Sequence, residues 1–308
     1  MKKRIFISGQ EGMVGSAVYR RLKNNPKFTI IDCLRKDLDL TNQESVNKWF
    51  ILNKPDIVIN AAGKVGGILD NSLFKDEYLY ENALIGLNIL KASFSSNVKQ
   101  LINLGSACIY PKNAVQPIKE DYLLSDKLES TNEGYALAKI LVLKYAQYIK
   151  EKYKKNYITL MPANLYGPGD NFNLQSSHVI PALIKKFHLA KIKKLKKVEV
   201  WGSGNQEREF LHVDDLASAI VFCLNKKINI SYVNVAGADV LKIKNLCEVI
   251  KKTVGYNCEI VFNKKFPDGV LKRSLFSKNL KKLGWEAKIK LNSKIGIKSY
   301  YDYFKKNI

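Results

Sequence analysis

The chain has little of what disulfide frameworks and metal centres are built from: five cysteines and three histidines in 308 residues. Cys33, Cys108, Cys223, Cys247 and Cys258 are scattered, odd in number and without a CxxC pair. That usage fits a reducing compartment and speaks against both a disulfide-built fold and a zinc site. His178, His188 and His212 add little metal chemistry, so no metal is expected. No run approaches the roughly 18–20 apolar residues that span a bilayer. Ile5-Phe6-Ile7, behind Lys2-Lys3-Arg4, is too short for a signal-peptide core, and a cytoplasmic protein with no membrane partner is expected. Internal repeats and low-complexity linkers are missing as well. Acids are outnumbered, 28 against 51 Lys+Arg, for a formal charge of +23. Basic chains often bind nucleic acid. Here the lysines run the whole length, densest at 185–197 and 272–282, among abundant Asn and Ile. That is compositional bias: no nucleic-acid partner is expected, and the milder consequence is attraction for anionic nucleotides.

What the chain does have is apolar residues in short runs. Hydrophobic residues make up 46%, enough for a full core and against wholesale disorder. Arg4–Ser8, Phe28–Asp32, Asp56–Asn60, Gln100–Leu104 and Tyr157–Met161 predict strands. Met13–Asn25, Gln43–Asn53, Phe74–Ser95 and Asn132–Lys154 carry helical periodicity. Such alternation predicts a parallel sheet covered on both faces, with right-handed crossovers. Past Pro168 the rhythm changes to a loop at 169–177, a helix at Val179–Ala190, a strand at Val198–Trp201 and the turn Gly202-Ser203-Gly204. Helices at Asp214–Leu224 and Ile243–Val254, strands at Tyr232–Ala236 and Glu259–Asn263, and a surface helix at Ser293–Lys306 follow. The fold class is therefore α/β. A Rossmann-like, doubly wound parallel sheet occupies residues 1–168, and a smaller C-terminal α/β substrate lobe occupies 169–308, with some segments returning to the first domain.

Gly9-Gln10-Glu11-Gly12-Met13-Val14-Gly15 follows the first strand and opens the first helix. Glycines spaced three apart let the backbone approach a pyrophosphate. The helix start, at Met13 and Val14, offers free N–H groups and the positive end of its dipole. At the end of the second strand an acid suits the ribose 2′-OH of NAD, and an arginine suits the 2′-phosphate of NADP. Both are present: Asp32, then Arg35 and Lys36, with Glu11 as a further acid. The two bases tilt the choice to NADPH and leave NADH as second candidate. Asp39 and Leu40 are placed beneath the adenine, and Ala61-Ala62-Gly63 lets the chain pass close to the cofactor.

Tyr135-Ala136-Leu137-Ala138-Lys139 puts a phenol and an ammonium one turn apart on one helix face. An ammonium beside a tyrosine favours the phenolate, drawing its pKa from about 10 toward a useful range. The lysine can also grip the nicotinamide ribose. Ser106, just past the fourth strand, can polarise a carbonyl that Tyr135 protonates as hydride arrives. Two residues on stands Cys108, and His178 opens a later helix. Alone each has a bland reading, a buried thiol and a surface cap. Together, a thiolate base and a histidine acid on opposite faces of a sugar ring could invert carbons next to a ketone.

At this point the blocks GQEGMVGSAV (9–18), KVGGI (64–68), GSACIYP (105–111), YALAK (135–139), NLYGPGDNF (164–172), HVIPAL (178–183), VWGSGNQEREFLHVDD (200–215) and PDG (267–269) closely resemble the GDP-L-fucose synthase family of extended short-chain dehydrogenases. The resemblance runs in register from Lys3 to the C-terminal helix. It implies a 3,5-epimerase/4-reductase acting on a GDP-4-keto sugar with NADPH, as a homodimer and without metal. Carried over by position, Ser106, Tyr135 and Lys139 serve reduction, with Cys108 the epimerisation base and His178 the acid and a cofactor contact. Lys64, Asn164, Lys186, Trp201, Arg208 and Asp268 join Ser106 and Cys108 as substrate contacts. Three departures stand out: Glu11 where the family often has arginine, Ala107 for a serine, and Leu271–Phe276 in place of proline, arginine, lysine, two leucines and aspartate. These leave the reductase core intact and open a second reading, 4-reduction alone on another GDP-4-keto hexose or heptose for a surface glycan. A 4,6-dehydratase would want an acid pair where Ala107-Cys108 stand, and a simple 4-epimerase would need no Cys/His pair.

Overall fold

The computed structural model describes residues 2–226, 228–266 and 268–307; Pro267 of the PDG block lies outside them. Its first strands and helices follow the alternation of the sequence: β1 (Lys3–Ser8), α1 (Met13–Leu22), β2 (Phe28–Ile31), α2 (Gln43–Asn53), β3 (Ile57–Asn60), α3 (Ile68–Leu73), α4 (Lys75–Ser95), β4 (Gln100–Leu104), α5 (Glu133–Tyr153) and β5 (Asn156–Pro162). All pair in parallel in the order β2-β1-β3-β4-β5, and a later strand, β9 (Tyr232–Val235), completes the edge beside β5.

Alternation along each strand explains why both faces need cover. In β1, Ile5 and Ile7 point into one apolar cluster while Phe6 points into the other; in β3, Ile57 and Ile59 oppose Val58 in the same way. One face is closed by α1 and by α7 (Val213–Leu224). The other is closed by α2, α4 and α5, where Phe6, Trp49 and Phe50 pack their rings 4.3–5.7 Å apart.

Between these elements the chain builds a second unit: β6 (Asn164–Tyr166), α6 (Val179–Ile192), β7 (Lys197–Trp201) and β8 (Glu207–His212), then, after α7 and β9, β10 (Asp239–Lys242), α8 (Ile243–Val254), β11 (Glu259–Asn263), β12 (Lys272–Arg273), α9 (Lys278–Leu283) and α10 (Ser299–Lys306). A short sheet is centred on β8, which pairs with β10, β12 and β6; β7 and β11 form a separate parallel pair. The strands β6, β8, β10 and β12 carry no alternation long enough to announce themselves. They are defined by their partners.

The expected surface helix over 293–306 is corrected. The backbone breaks at Gly296 (φ −74°, ψ −124°), and only Ser299–Lys306 is α-helical. Its Tyr300, Tyr301 and Phe304 are buried against α6 and α8, because the second unit needs this aromatic face to close its core.

Candidate active site

At the carboxyl ends of the parallel strands a buried polar ladder ties four neighbours together. Ser8 Oγ donates to Asn60 Oδ1 (2.9 Å), Asn60 Nδ2 to Asn103 Oδ1 (2.9 Å) and Asn103 Nδ2 to Thr159 Oγ1 (3.3 Å). Ser8 Oγ also accepts the N–H of Ala62 at 3.3 Å. Buried amides earn their place only when paired, and here they fix the strand ends from which the site loops spring. Periodicity gave no hint of this; Ser8 and Asn60 end their strands, while Asn103 and Thr159 stand within β4 and β5 among apolar neighbours.

The glycine loop sits where the strand order reverses, between β1 and β3, the crevice in which open α/β sheets bind ligands. A side chain at Gly15 would place Cβ 2.0 Å from Gly9 O, so the loop can lie this flat only with glycine there. Gly12 caps α1 with no side-chain hydrogen bond, leaving the N–H groups of the first turn, from Met13 and Val14 onward, open toward an anion. Ala61 and Ala62 pass beside the loop. These features fit a dinucleotide pyrophosphate. At the adenosine end Leu40 packs into the core, and its carbonyl accepts from Asn88. Asp39, expected beneath the adenine, is exposed, and its carboxylate takes the N–H and hydroxyl of Thr41. Arg35 is exposed too, its backbone N–H donating to Glu11.

Past β4, Ser106 opens a single 3₁₀ turn, Ala107–Ile109, and its Oγ accepts the N–H of Cys108 at 3.1 Å. Tyr135, on the first turns of α5, lies close enough to Ser106 for the hydroxyl to favour its charged form. Lys139, one turn on and 8% exposed, donates to Leu104 O at 3.1 Å. Its ammonium stands 5.6 Å from the centroid of the Tyr135 ring. The triad is thus assembled, but its electrostatics differ from expectation. Burial, then the nearby Cys108, raises the Tyr135 phenol well above 10, against the pull of Ser106. Burial also brings Lys139 down to about 8. Desolvation of both groups outweighs their mutual attraction, so the chain's own residues keep Tyr135 protonated.

Cys108 is a half-exposed free thiol. It lies within electrostatic reach of Tyr135 and of Arg208, whose guanidinium burial and the adjacent Arg273 bring down to about 10. His178 caps α6 without using its side chain and is exposed. Burial raises the carboxyl of the neighbouring Asp170, which accepts from Tyr300 Oη at 3.2 Å. The loop before His178 is docked on the KVGG segment, Gly67 N donating to Ser176 O at 2.8 Å.

Other expected contacts are distributed differently. The Lys64 ammonium is paired with Glu77 and Glu81 of α4, one turn apart. Asn164 Nδ2 donates to Glu209 O across β6 and β8. Lys186 donates to Glu199 O and lies 5.0 Å from the Trp201 ring centroid, while Trp201 stacks on Phe266 at 4.4 Å. The Asp268 carboxylate accepts the N–H (2.6 Å) and hydroxyl (2.7 Å) of Ser203, which hold it below the usual carboxylate range, and its backbone oxygen receives Arg208 Nη2 at 3.4 Å.

Arg273 escaped the sequence reading. It is 7% exposed, sits in register beside Arg208 on β12, and donates Nη1 to Ala107 O at 3.1 Å; its Nη2 is buried without a protein partner. A cross-strand pairing put it there, and nothing local marks it. Among the described residues no group of three or more His, Cys, Asp or Glu could hold a metal ion.

The family model described as NAD dependent epimerase/dehydratase family matches residues 5–236. A GDP-L-fucose synthase of Sinorhizobium fredii is 43% identical over 306 residues, covering 99% of this chain and 96% of the relative. A GDP-6-OMe-4-keto-L-xylo-heptose reductase from Campylobacter jejuni superposes with a TM-score of 0.93 at 33% identity, over 100% of this chain and 99% of that one. A Campylobacter jejuni GDP-mannoheptose C4 reductase with NADP bound follows at TM-score 0.88 and 33% identity, covering 99% and 98%.

Proposed function

The chain belongs to the NAD dependent epimerase/dehydratase family, and from that premise we propose that it uses NADPH to reduce the C4 ketone of a GDP-4-keto sugar after inverting the neighbouring C3 and C5. One observation carries the reading: Ser106, Cys108 and Tyr135 gather at the carboxyl end of β4, over Lys139, whose ammonium donates to Leu104 O. A proton donor for reduction and a thiol base for epimerisation therefore share one floor.

The dinucleotide, when bound, supplies the hydride. Tyr135 gives its proton to the ketone oxygen, and burial keeps it in the phenol form that a donor needs. Ser106 polarises the same carbonyl. Lys139, fixed by Leu104 O, holds the ribose and steadies the charge left on Tyr135. Before reduction the ketone acidifies the adjacent C–H bonds; Cys108 removes those protons and His178 returns them from the other face. Arg208 and Arg273 place positive charge beside the thiol and the substrate phosphates. Trp201 and Lys186 receive the nucleotide, and Asp268 braces the Gly202–Gln206 turn beneath it.

Reduction alone, on a GDP-4-keto heptose, is the second reading. The likeness to two heptose reductases supports it. Substitution separates the two. Cys108→Ser is expected to leave reduction of an already inverted keto sugar near the native rate while giving, from the uninverted one, a product unchanged at C3 and C5. The same inverted product from wild type and Cys108→Ser would rule against the epimerase assignment.

A homodimer in the cytoplasm completes the reading. The exposed apolar side chains of α4 and α5, Leu79, Tyr80, Leu137, Leu141 and Tyr148, offer it a surface, and five free cysteines suit a reducing compartment. No described helix is long and apolar enough to cross a membrane.

A further inference from the structure

The adenosine end of the cofactor crevice holds an acid where one of the two nicotinamide dinucleotides brings a phosphate. We propose that Glu11 sets cofactor discrimination in this protein, opposing a ribose 2′-phosphate and so admitting NADH alongside NADPH. The proposal rests on the cofactor site described above.

Glu11 leaves the tip of the glycine loop and reaches the segment that follows β2, where its Oε2 accepts the backbone N–H of Arg35 at 3.0 Å. Its neighbour Gln10 donates Nε2 to Asp32 Oδ1, also at 3.0 Å, which holds a second carboxylate on the same rim. Asp37 turns its carboxylate back onto the N–H of Leu34 at 2.9 Å. The end of the second strand is where a Rossmann half meets the 2′ position of the adenosine ribose. A 2′-phosphate arriving there meets Arg35 and Lys36, but also Glu11, Asp32 and Asp37. The backbone donor it would most readily use, Arg35 N–H, is already taken. A ribose diol finds the reverse: the Asp32 carboxylate can accept its hydroxyls, and the diol brings no charge against Glu11. Arg35, Lys36, Glu11 and Asp32 are all exposed, so solvent screens each pair and no single charge forbids the phosphate. The result is a rim that discriminates weakly, with Glu11 the member that both repels the phosphate and occupies its donor.

Calorimetric titration of the full chain tests this, with NADP+ and NAD+ and with the fragments adenosine 2′,5′-bisphosphate and adenosine 5′-monophosphate. In the wild type, NADP+ and NAD+ are expected to bind within about tenfold of one another, the scale of one screened charge contact. Glu11→Gln keeps an acceptor for Arg35 N–H and removes only the charge. It is expected to tighten NADP+ and the bisphosphate about five- to tenfold while leaving NAD+ and the monophosphate unchanged, which also shows that the loop is intact. Wild-type preference for NADP+ of a hundredfold or more, or an equal effect of Glu11→Gln on phosphorylated and unphosphorylated ligands, would overturn the proposal while leaving the cofactor site standing. Binding of neither dinucleotide would overturn the cofactor site and the proposal with it.

Discussion

Tyr135 and Lys139 show how the balance between burial and pairing decides chemistry at a single residue. Their spacing on one helix face leads to the expectation that the ammonium lowers the phenol. In the folded chain both lose water, and burial acts more strongly than their attraction: the phenol rises and the ammonium falls to about 8. For a reductase this is the useful sign, since the ketone oxygen needs a proton. Tyr135→Phe is expected to lower turnover by about 10²–10⁴-fold while NADP+ still binds, as measured by steady-state assay beside calorimetry. Near-native turnover would remove Tyr135 from the role of proton donor. The Tyr135 and Lys139 pair was legible because both residues lie on one helix, where i, i+4 spacing is geometry. Arg273 was not, since its place beside Ala107 and Arg208 depends on a two-residue strand pairing. The surroundings of Lys64 were hidden for the same reason: its carboxylate partners, Glu77 and Glu81, are brought to it by the fold of the KVGG segment onto α4.

The elements that hold these side chains are set by strand ends more than by strand interiors. Apolar alternation predicts β1, β3, β4 and β5 but says nothing of the Ser8–Asn60–Asn103–Thr159 ladder that aligns their carboxyl ends. Replacing Asn103 by Leu would strand the Asn60 amide and the Thr159 hydroxyl in a dry interior. A loss of about 1–3 kcal/mol in urea unfolding is expected, together with weaker dinucleotide binding, because the loops after β1 and β3 lose their anchor. Unchanged stability would show that the ladder is dispensable. The same contrast marks the C-terminus. Tyr300, Tyr301 and Phe304 read as a surface helix in isolation, yet they close the core formed by α6 and α8, and Tyr300 carries a hydrogen bond to Asp170 beside His178.

For the molecule as a whole, the junction between its two units contains a titratable group near neutrality. Glu209 of β8 is buried and accepts the backbone N–H of Leu275 at 2.8 Å; burial is the larger influence and raises its carboxyl to about 7. The unfolded value is about 4.3, so between those limits the folded state binds more protons than the unfolded. Stability from this group is therefore fully present below about pH 4 and declines as pH rises through 7, by ~2–4 kcal/mol in all. Chemical denaturation of wild type and Glu209→Gln at pH 5 and pH 8 checks it: the wild type is expected to lose more stability across that interval than the variant. Equal losses would show that Glu209 does not titrate with folding. How the units share one chain was partly readable, since the glycine loop follows β1, Ser106 and Cys108 follow β4, and Tyr135 and Lys139 lie on the helix that leads into β5. The return of β9 to the first sheet is written only in its pairing with β5.

In the proposed reaction one floor, with Cys108 and Tyr135 on it, performs both inversion and reduction. Product mass spectrometry tests it most directly, after incubation of the protein with GDP-4-keto-6-deoxymannose and NADPH in deuterated water. The expected result is a reduced GDP-sugar carrying solvent deuterium at C3 and C5, with Cys108→Ser abolishing that label. A reduced product with no deuterium at either carbon would contradict the claim and leave Cys108 and His178 without a part in the chemistry.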